Sequence, residues 1–351
     1  MRIRLSILLM LLCISSHLGL AQEQTLRIKA VGDIMLGSQT PRKIVPPGDG
    51  KLFADSIAQY LEGADITFGN LEGVFVTDNV QPRKCSEASR KAGRCYEFGM
   101  PDRLAAVLND MHFSVLSMDN NHNSDYGSAG VNHTKKTLDG LGIDYAAKKA
   151  PTILEVKGKK VGVAAFGTSG NSYRVSDLAT AKKVITDLEA QCDLVIVSFH
   201  GGAEGVKAQH VKDETETYYG ENRGNLVQFA RTVIDAGADL VIGHGPHVLR
   251  GMDLYKNKLI IYSLGNFLTY GNVNIRQELG KTAILDITIN LETGDMLSGE
   301  IIPVKQVSRG VPVYDANGNA IRIIKTLSEA DFPQSELKIS GQGKLSKKGA
   351  E

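Results

Sequence analysis

The chain has 351 residues, with 40 Lys plus Arg against 39 Asp plus Glu and a formal net charge of +1. That balance gives no electrostatic ground for wholesale binding to nucleic acid or an anionic membrane, and no nucleic-acid partner is expected. Apolar residues at 42% and charged residues at 23% exclude a largely disordered chain, and the absence of Trp argues against a stacking platform for sugars or bases.

Residues 1–21 read as a secretory signal peptide. Arg2 and Arg4 precede an apolar run from Leu5 to Ile14, and Gly19 and Ala21 put small residues before a cut near Ala21. The run is shorter than the ~20 residues a spanning helix needs, so cleavage is favoured over an uncleaved membrane anchor. The expected location is therefore outside the cytoplasm, in the periplasm or beyond the cell. Cys13 leaves with the signal. Cys85 and Cys95 remain within or beside a polar, basic segment, residues 81–94. In an oxidising compartment they are expected to form a disulfide, with two free thiols as the alternative. Cys192 reads as a buried thiol.

Residues 22–331 read as the folded domain. Short apolar runs at Leu26–Gly32, Asp65–Gly69, Ser114–Met118, Lys160–Phe166, Asp193–Phe199, Asp239–Gly243 and Lys258–Ser263 behave as strands. Helical patterns at Leu52–Leu61, Asp102–Asn109, Ala129–Leu141, Ala179–Ala190 and Arg223–Ala236 alternate with them. The alternation predicts an α/β fold with substantially buried sheets. Thr282–Ile289 and Gly299–Val304 read as strands without intervening helices, adding an antiparallel edge. The polar stretch 332–351 is expected to be a mobile C-terminal tail.

Residues able to bind metal sit after strand upon strand. Asp33 follows the first, Asn70 and Glu72 the second, Asn121 and His122 the third. His200, then His244 and His247, and finally Asn266 follow later ones. In open α/β sheets ligands bind beyond the carboxyl ends of the strands, so distant segments can meet in one crevice. Imidazole, carboxylate and amide oxygen suit one or two divalent ions such as Mn, Fe or Zn. Pro246 keeps His244 and His247 out of a regular helix, which makes that pair the strongest single signal. Glu204 and Arg250 are candidates for holding substrate. Neither a Gly-x-Ser-x-Gly elbow nor a Walker-type phosphate loop is present.

Six stretches together resemble the bacterial capsule-synthesis family typified by CapA, linked to poly-γ-glutamate. They are Val31–Gly37, Gly69-Asn70-Leu71-Glu72-Gly73, Asn120-Asn121-His122 through Asp125-Tyr126-Gly127, His200-Gly201-Gly202-Ala203-Glu204, Gly243 through His247, and Tyr262 through Phe267. The resemblance implies a calcineurin-like metallophosphoesterase fold, a four-layer α/β/β/α sandwich with two β-sheets flanked by helices. It places Asp33, Asn70, Glu72, Asn121, His200, His244 and His247 around the metal centre. His122 would protonate a leaving group or steady the transition state. Arg250, Glu204 and Asn266 would meet the substrate. Met35 stands where metallophosphoesterases usually carry His.

The function so implied is synthesis, anchoring or processing of a capsule or other cell-envelope polymer by a metal-dependent hydrolase or transferase. The expected partners are an anionic envelope polymer or its precursor, and capsule-synthesis membrane proteins. A non-catalytic assembly factor for polymer export, or a secreted phosphoesterase, are the alternatives.

Overall fold

Alternation along the strand Thr25–Met35 decides which side meets which core. Leu26, Ile28 and Ala30 alternate with Arg27 and Lys29, so the two faces differ in kind. The apolar face packs on a second sheet: Leu26, Ile28, Phe68 and Val115 share one core cluster with Val163, Ile196, Ile242 and Ile261. On the other face Lys29 is 4% exposed, and its Nζ donates to Tyr60 O and Glu62 O. The computed structural model describes residues 24–40, 42–78, 80–93, 95–271 and 273–349. The expected signal peptide lies outside them.

The larger sheet runs in the order Leu337–Ile339, Lys344–Lys347, Met296–Val307, Lys281–Asn290, Thr25–Met35, Ile66–Leu71, Val115–Ser117, Asp144–Ala146. The smaller sheet runs Met252–Tyr255, Lys258–Ile261, Leu240–His244, Leu194–His200, Lys159–Phe166, Thr152–Val156. Helices cover both outer faces. Phe53 and Ile57 of Lys51–Ile57 and Leu138 of Gly127–Leu141 pack on the larger sheet. Ile185 of Leu178–Glu189 and Phe229 and Val233 of Leu226–Asp235 pack on the smaller one. The layers are thus helix, sheet, sheet, helix, an α/β sandwich of two sheets flanked by helices. No helix among the described residues is long and apolar enough to cross a membrane.

Thr25–Met35, Ile66–Leu71 and Val115–Ser117 are parallel, as are the four central strands of the smaller sheet. Register aligns Asp33 with Asn70 in one sheet and His244 with His200 in the other. Polar strand ends therefore collect at one edge of the sandwich.

Three expectations need correction. The strands expected at an antiparallel edge are internal, since Lys281–Asn290 pairs directly with Thr25–Met35. A helix at Asn319–Asp331, burying Ile324 and Leu327, was not expected. The presumed mobile tail is structured: Leu337–Ile339 and Lys344–Lys347 form a hairpin that joins the sheet through Gly299 and Leu345. Leu337, Ile339 and Leu345 are buried. These few apolar residues, set among lysines, are masked by the average polarity of the segment.

Candidate metal centre

Between Ala30 and Asp33 the first strand slips in its pairing with Ile66–Leu71. Such a bulge breaks the alternation and re-aims a side chain; here it turns Asp33 into the crevice. Gly32 permits the close approach this needs, because a Cβ there would lie 1.8 Å from Gly265 O. Asp33 N donates to that same carbonyl at 2.9 Å.

Asp33 is fully buried and holds three neighbours. Its Oδ1 accepts from Asn70 Nδ2 at 2.8 Å, and its Oδ2 lies 2.9 Å from His247 Nδ1. His244 Nδ1 stands 3.4 Å from Oδ1 without hydrogen-bond geometry. Asn70 in turn accepts from Asn120 Nδ2 at 3.0 Å, and Asn120 Oδ1 accepts from His122 N at 3.0 Å. Both ends of the Asn70 amide thus have protein partners. It supports Asp33, and Glu72 is the carboxylate that faces the imidazoles.

The turn after His244 presents the second imidazole. Gly245 has φ 110°, and a Cβ there would meet Gly201 O at 2.8 Å. His247 adopts φ 59°, a conformation that costs a non-glycine residue about 1–2 kcal/mol. Its bond to Asp33 helps to hold it there.

Glu72 Oε1 lies 3.6 Å from His200 Nε2, 3.7 Å from His247 Nε2 and 4.0 Å from His122 Nε2. These are too long for hydrogen bonds. Ligand atoms of Glu72, His200 and His247 all fall within 4.8 Å of one another. Glu72 Oε1, Asn121 Oδ1 and both ring nitrogens of His200 and His244 are buried with no hydrogen-bond partner. Each such atom costs about 1–3 kcal/mol when left unsatisfied. A divalent cation would satisfy atoms of this kind, and the nitrogen and oxygen donors suit Zn, Mn or Fe. The residues therefore fit a metal. Met35 also lines this pocket, offering a soft thioether that a hard ion does not need.

Electrostatics agree with a cation-seeking cluster. Burial alone would raise the Asp33 and Glu72 pKa values, but the imidazoles outweigh it and hold both below the usual range. Burial alone would lower His247, but Glu72, Asp33 and Glu204 push it up to about 10. His200 moves the other way: burial lowers it despite Glu72.

His122 stands at the rim. Its Nδ1 is 2.7 Å from Asp125 Oδ2, and its ring stacks on Phe98 with centroids 4.1 Å apart. Asp125 Oδ2 also accepts from Phe98 N at 2.8 Å, and Lys84 Nζ stands 3.2 Å from Asp125 Oδ1. With Asp125 accepting from Nδ1, the Nε2 atom is left facing Glu72. A cavity of about 270 Å³ opens here, lined by Glu72, Phe98, His122, Glu204, His247 and Asn266, with Met35 and Tyr96 among its other walls.

The sequence profile described as "Bacterial capsule synthesis protein PGA_cap" matches residues 27–270. The chain belongs to this family. Among curated relatives, the PGA biosynthesis protein CapA of Bacillus subtilis is 30% identical over 268 residues, covering 70% of this chain and 64% of its own. The match thus spans less than two thirds of that relative. The capsule biosynthesis protein CapA of Bacillus anthracis is 27% identical over 293 residues, covering 78% of this chain and 69% of its own. A novel phosphatase from Mycoplasma pneumoniae is similar in structure, with TM-score 0.49 and 12% identity, over 81% of this chain and 95% of that one.

Not every residue expected at the site of this capsule-synthesis family protein is there. Glu204 and Asn266 line the pocket; Glu204 Oε1 accepts from Arg223 Nη2 at 3.0 Å, and its Oε2 is 3.8 Å from His247. Arg250 does not line it. It is fully buried, bonded through both terminal nitrogens to Glu216 at 2.7–2.8 Å and through Nε to Ala208 O. The expected substrate contact is a structural ion pair. Glu216 belongs to a short hairpin, Glu216–Tyr218 with Glu221–Gly224.

The expected Cys85–Cys95 disulfide is present. It closes a segment whose flanks, Lys84 and Phe98, both touch the His122–Asp125 pair. Asp125 was legible as part of a motif. Lys84 and Phe98 carried no signal, since only the cross-linked loop brings them to His122.

Proposed function

We propose that this capsule-synthesis family protein is an exported, metal-dependent hydrolase or transferase acting on an anionic envelope polymer, poly-γ-glutamate above all. One observation carries the reading: buried, unpartnered atoms of Glu72, His200 and His244 gather with His247 beside an oriented His122–Asp125 pair. Asp33, Glu72, Asn121, His200, His244 and His247 would hold one or two divalent ions. When bound, such an ion polarises a phosphoryl or acyl oxygen and lowers the pKa of water.

The chain's own residues do the rest. Asp125 accepts from Nδ1 and fixes the His122 ring, and Phe98 supports its face. Nε2 is then free to pass a proton to the departing nitrogen or oxygen. Asn70 and Asn120 tie Asp33 to the His122 backbone, so the ligand side and the proton-transfer side keep one spacing. Asn266 and Glu204 line the path by which substrate reaches His122.

The test is direct. Purified protein loaded with Mn or Zn should shorten γ-linked glutamate chains, read by mass spectrometry, and His122→Ala should abolish this while keeping its metal. Absence of turnover on γ-glutamyl chains and phosphoesters with every metal would sink the reading. Met35 on the pocket wall, where a hard ion gains nothing from a thioether, favours a second reading as an assembly factor. Normal polymer in cells carrying His122→Ala at full protein level would select it.

A further inference from the structure

A second cavity lies across Tyr96 from the metal pocket. It measures about 450 Å³ and is lined by Arg42, Ile44, Arg90, Lys91, Tyr96 and the glycines 93 and 271. Tyr96 lines both cavities. The segment after Thr269 also borders both: Gly271 faces the second cavity, while Val273 and Asn274 face the first. No acidic residue is among the described lining residues of the second cavity.

Its cations are not equally engaged. Arg90 is committed, donating through Nε to Glu97 Oε2 at 2.8 Å and through Nη2 to Cys85 O at 3.1 Å. Lys91 pairs with Glu87, but the two side chains are 76% and 74% exposed, and such pairs hold their members weakly. Arg42 is exposed and has no ion pair among the described residues. The lining is therefore cationic in a chain whose overall charge is almost balanced. Two of the cations can turn to a ligand without breaking the fold.

The first pocket presents Glu72 and Glu204 beside His122 and His247, and Glu204 is already paired with Arg223, so these groups are engaged with one another. A substrate with one charged group could be served there. A long polyanion needs compensation for its further charges, and the cavity beside Tyr96 adjoins with the right sign. We infer that this cavity is a polycarboxylate subsite. In it Arg42 and Lys91 hold the pendant α-carboxylates of a γ-linked glutamate polymer whose neighbouring residues lie before His122. This rests on the polymer reading above.

The probe is a fluorescein-labelled γ-linked glutamate decamer, compared with the dimer, on the full chain loaded with Mn. Fluorescence anisotropy would be read for the wild type, for Arg42→Glu with Lys91→Glu, and for the gentler Arg42→Ala with Lys91→Ala. Decamer binding should weaken about tenfold or more on charge reversal and less with alanine, with a shallower salt dependence, while the dimer is unaffected. Both positions are exposed, and circular dichroism confirms the fold of each variant. The subsite is overturned if the wild type fails to bind the decamer, if neither variant weakens it, or if the dimer loses as much. Tighter binding of an oligogalacturonate of equal length would overturn the glutamate assignment. Arg42-dependent binding without cleavage would sink the hydrolase reading and leave the subsite; cleavage and binding untouched by reversal would do the opposite.

Discussion

Asp33 Oδ2 sits 2.9 Å from His247 Nδ1, although 214 residues separate them in the chain. The contact joins the bulged end of the central strand in one sheet to the strained turn after His244 in the other. It leaves His247 Nε2 facing Glu72 and Glu204. Asp33 is therefore both a ligand candidate and the partner that sets the direction of a second one.

If that is so, Asp33→Asn should weaken metal affinity about 10–100-fold, the scale on which partners that orient a ligand act. His244→Ala should lose the metal by a different route, through a missing donor. Elemental analysis after dialysis, with a melting curve beside it, checks both. Unchanged metal content in either variant would place the ion elsewhere.

The metal-free protein should respond to pH through His247. Its folded pKa of about 10 exceeds the ordinary 6.5, so its pairing stabilises the fold fully below about 6.5 and is lost as pH rises through 10. A metal ligand must lose that proton, so binding should release protons and tighten with rising pH across the same window. Calorimetry in buffers of different ionisation enthalpy would count them. A binding heat independent of buffer would contradict the assignment.

Asp125→Asn should leave the fold and metal in place but misdirect the His122 ring. A loss of about 10²–10⁴ in kcat is expected with little change in KM, the range for a general acid. The double variant with His122→Ala should be no worse than His122→Ala alone, because the two residues act as one unit. Additive losses would mean that Asp125 acts separately.

Removing Arg250 should be a stability defect. Arg250→Ala removes a fully buried guanidinium and leaves the mostly buried Glu216 without its cation, and breaking such a pair costs about 3–5 kcal/mol. Denaturant unfolding should show this, while the fraction that remains folded keeps its affinity for substrate.

Much of this was legible in the order of residues. Asp33, Glu72, His200 and His244 each follow or end an apolar run, and parallel strands bring such ends together whatever their separation in sequence. Side-chain bookkeeping was not legible. Asn70 and Glu72 are equivalent candidates in sequence, and only the fold shows that the Asn70 amide bridges Asp33 and Asn120. Arg250 looked available because its partner Glu216 lies in a hairpin without apolar periodicity. The hairpin at Leu337–Ile339 and Lys344–Lys347 was hidden because its few buried residues alternate with lysines. In each case the deciding term was a pairwise contact across the fold, which local pattern does not encode.

The Cys85–Cys95 bond fastens the platform on which the His122 ring rests, since Lys84 and Phe98 flank it on either side. Where glutathione keeps thiols reduced, that platform keeps only its non-covalent ties, among them the Arg90–Glu97 and Lys84–Asp125 ion pairs. A reduced copy would then hold the His122 ring less firmly than an oxidised one.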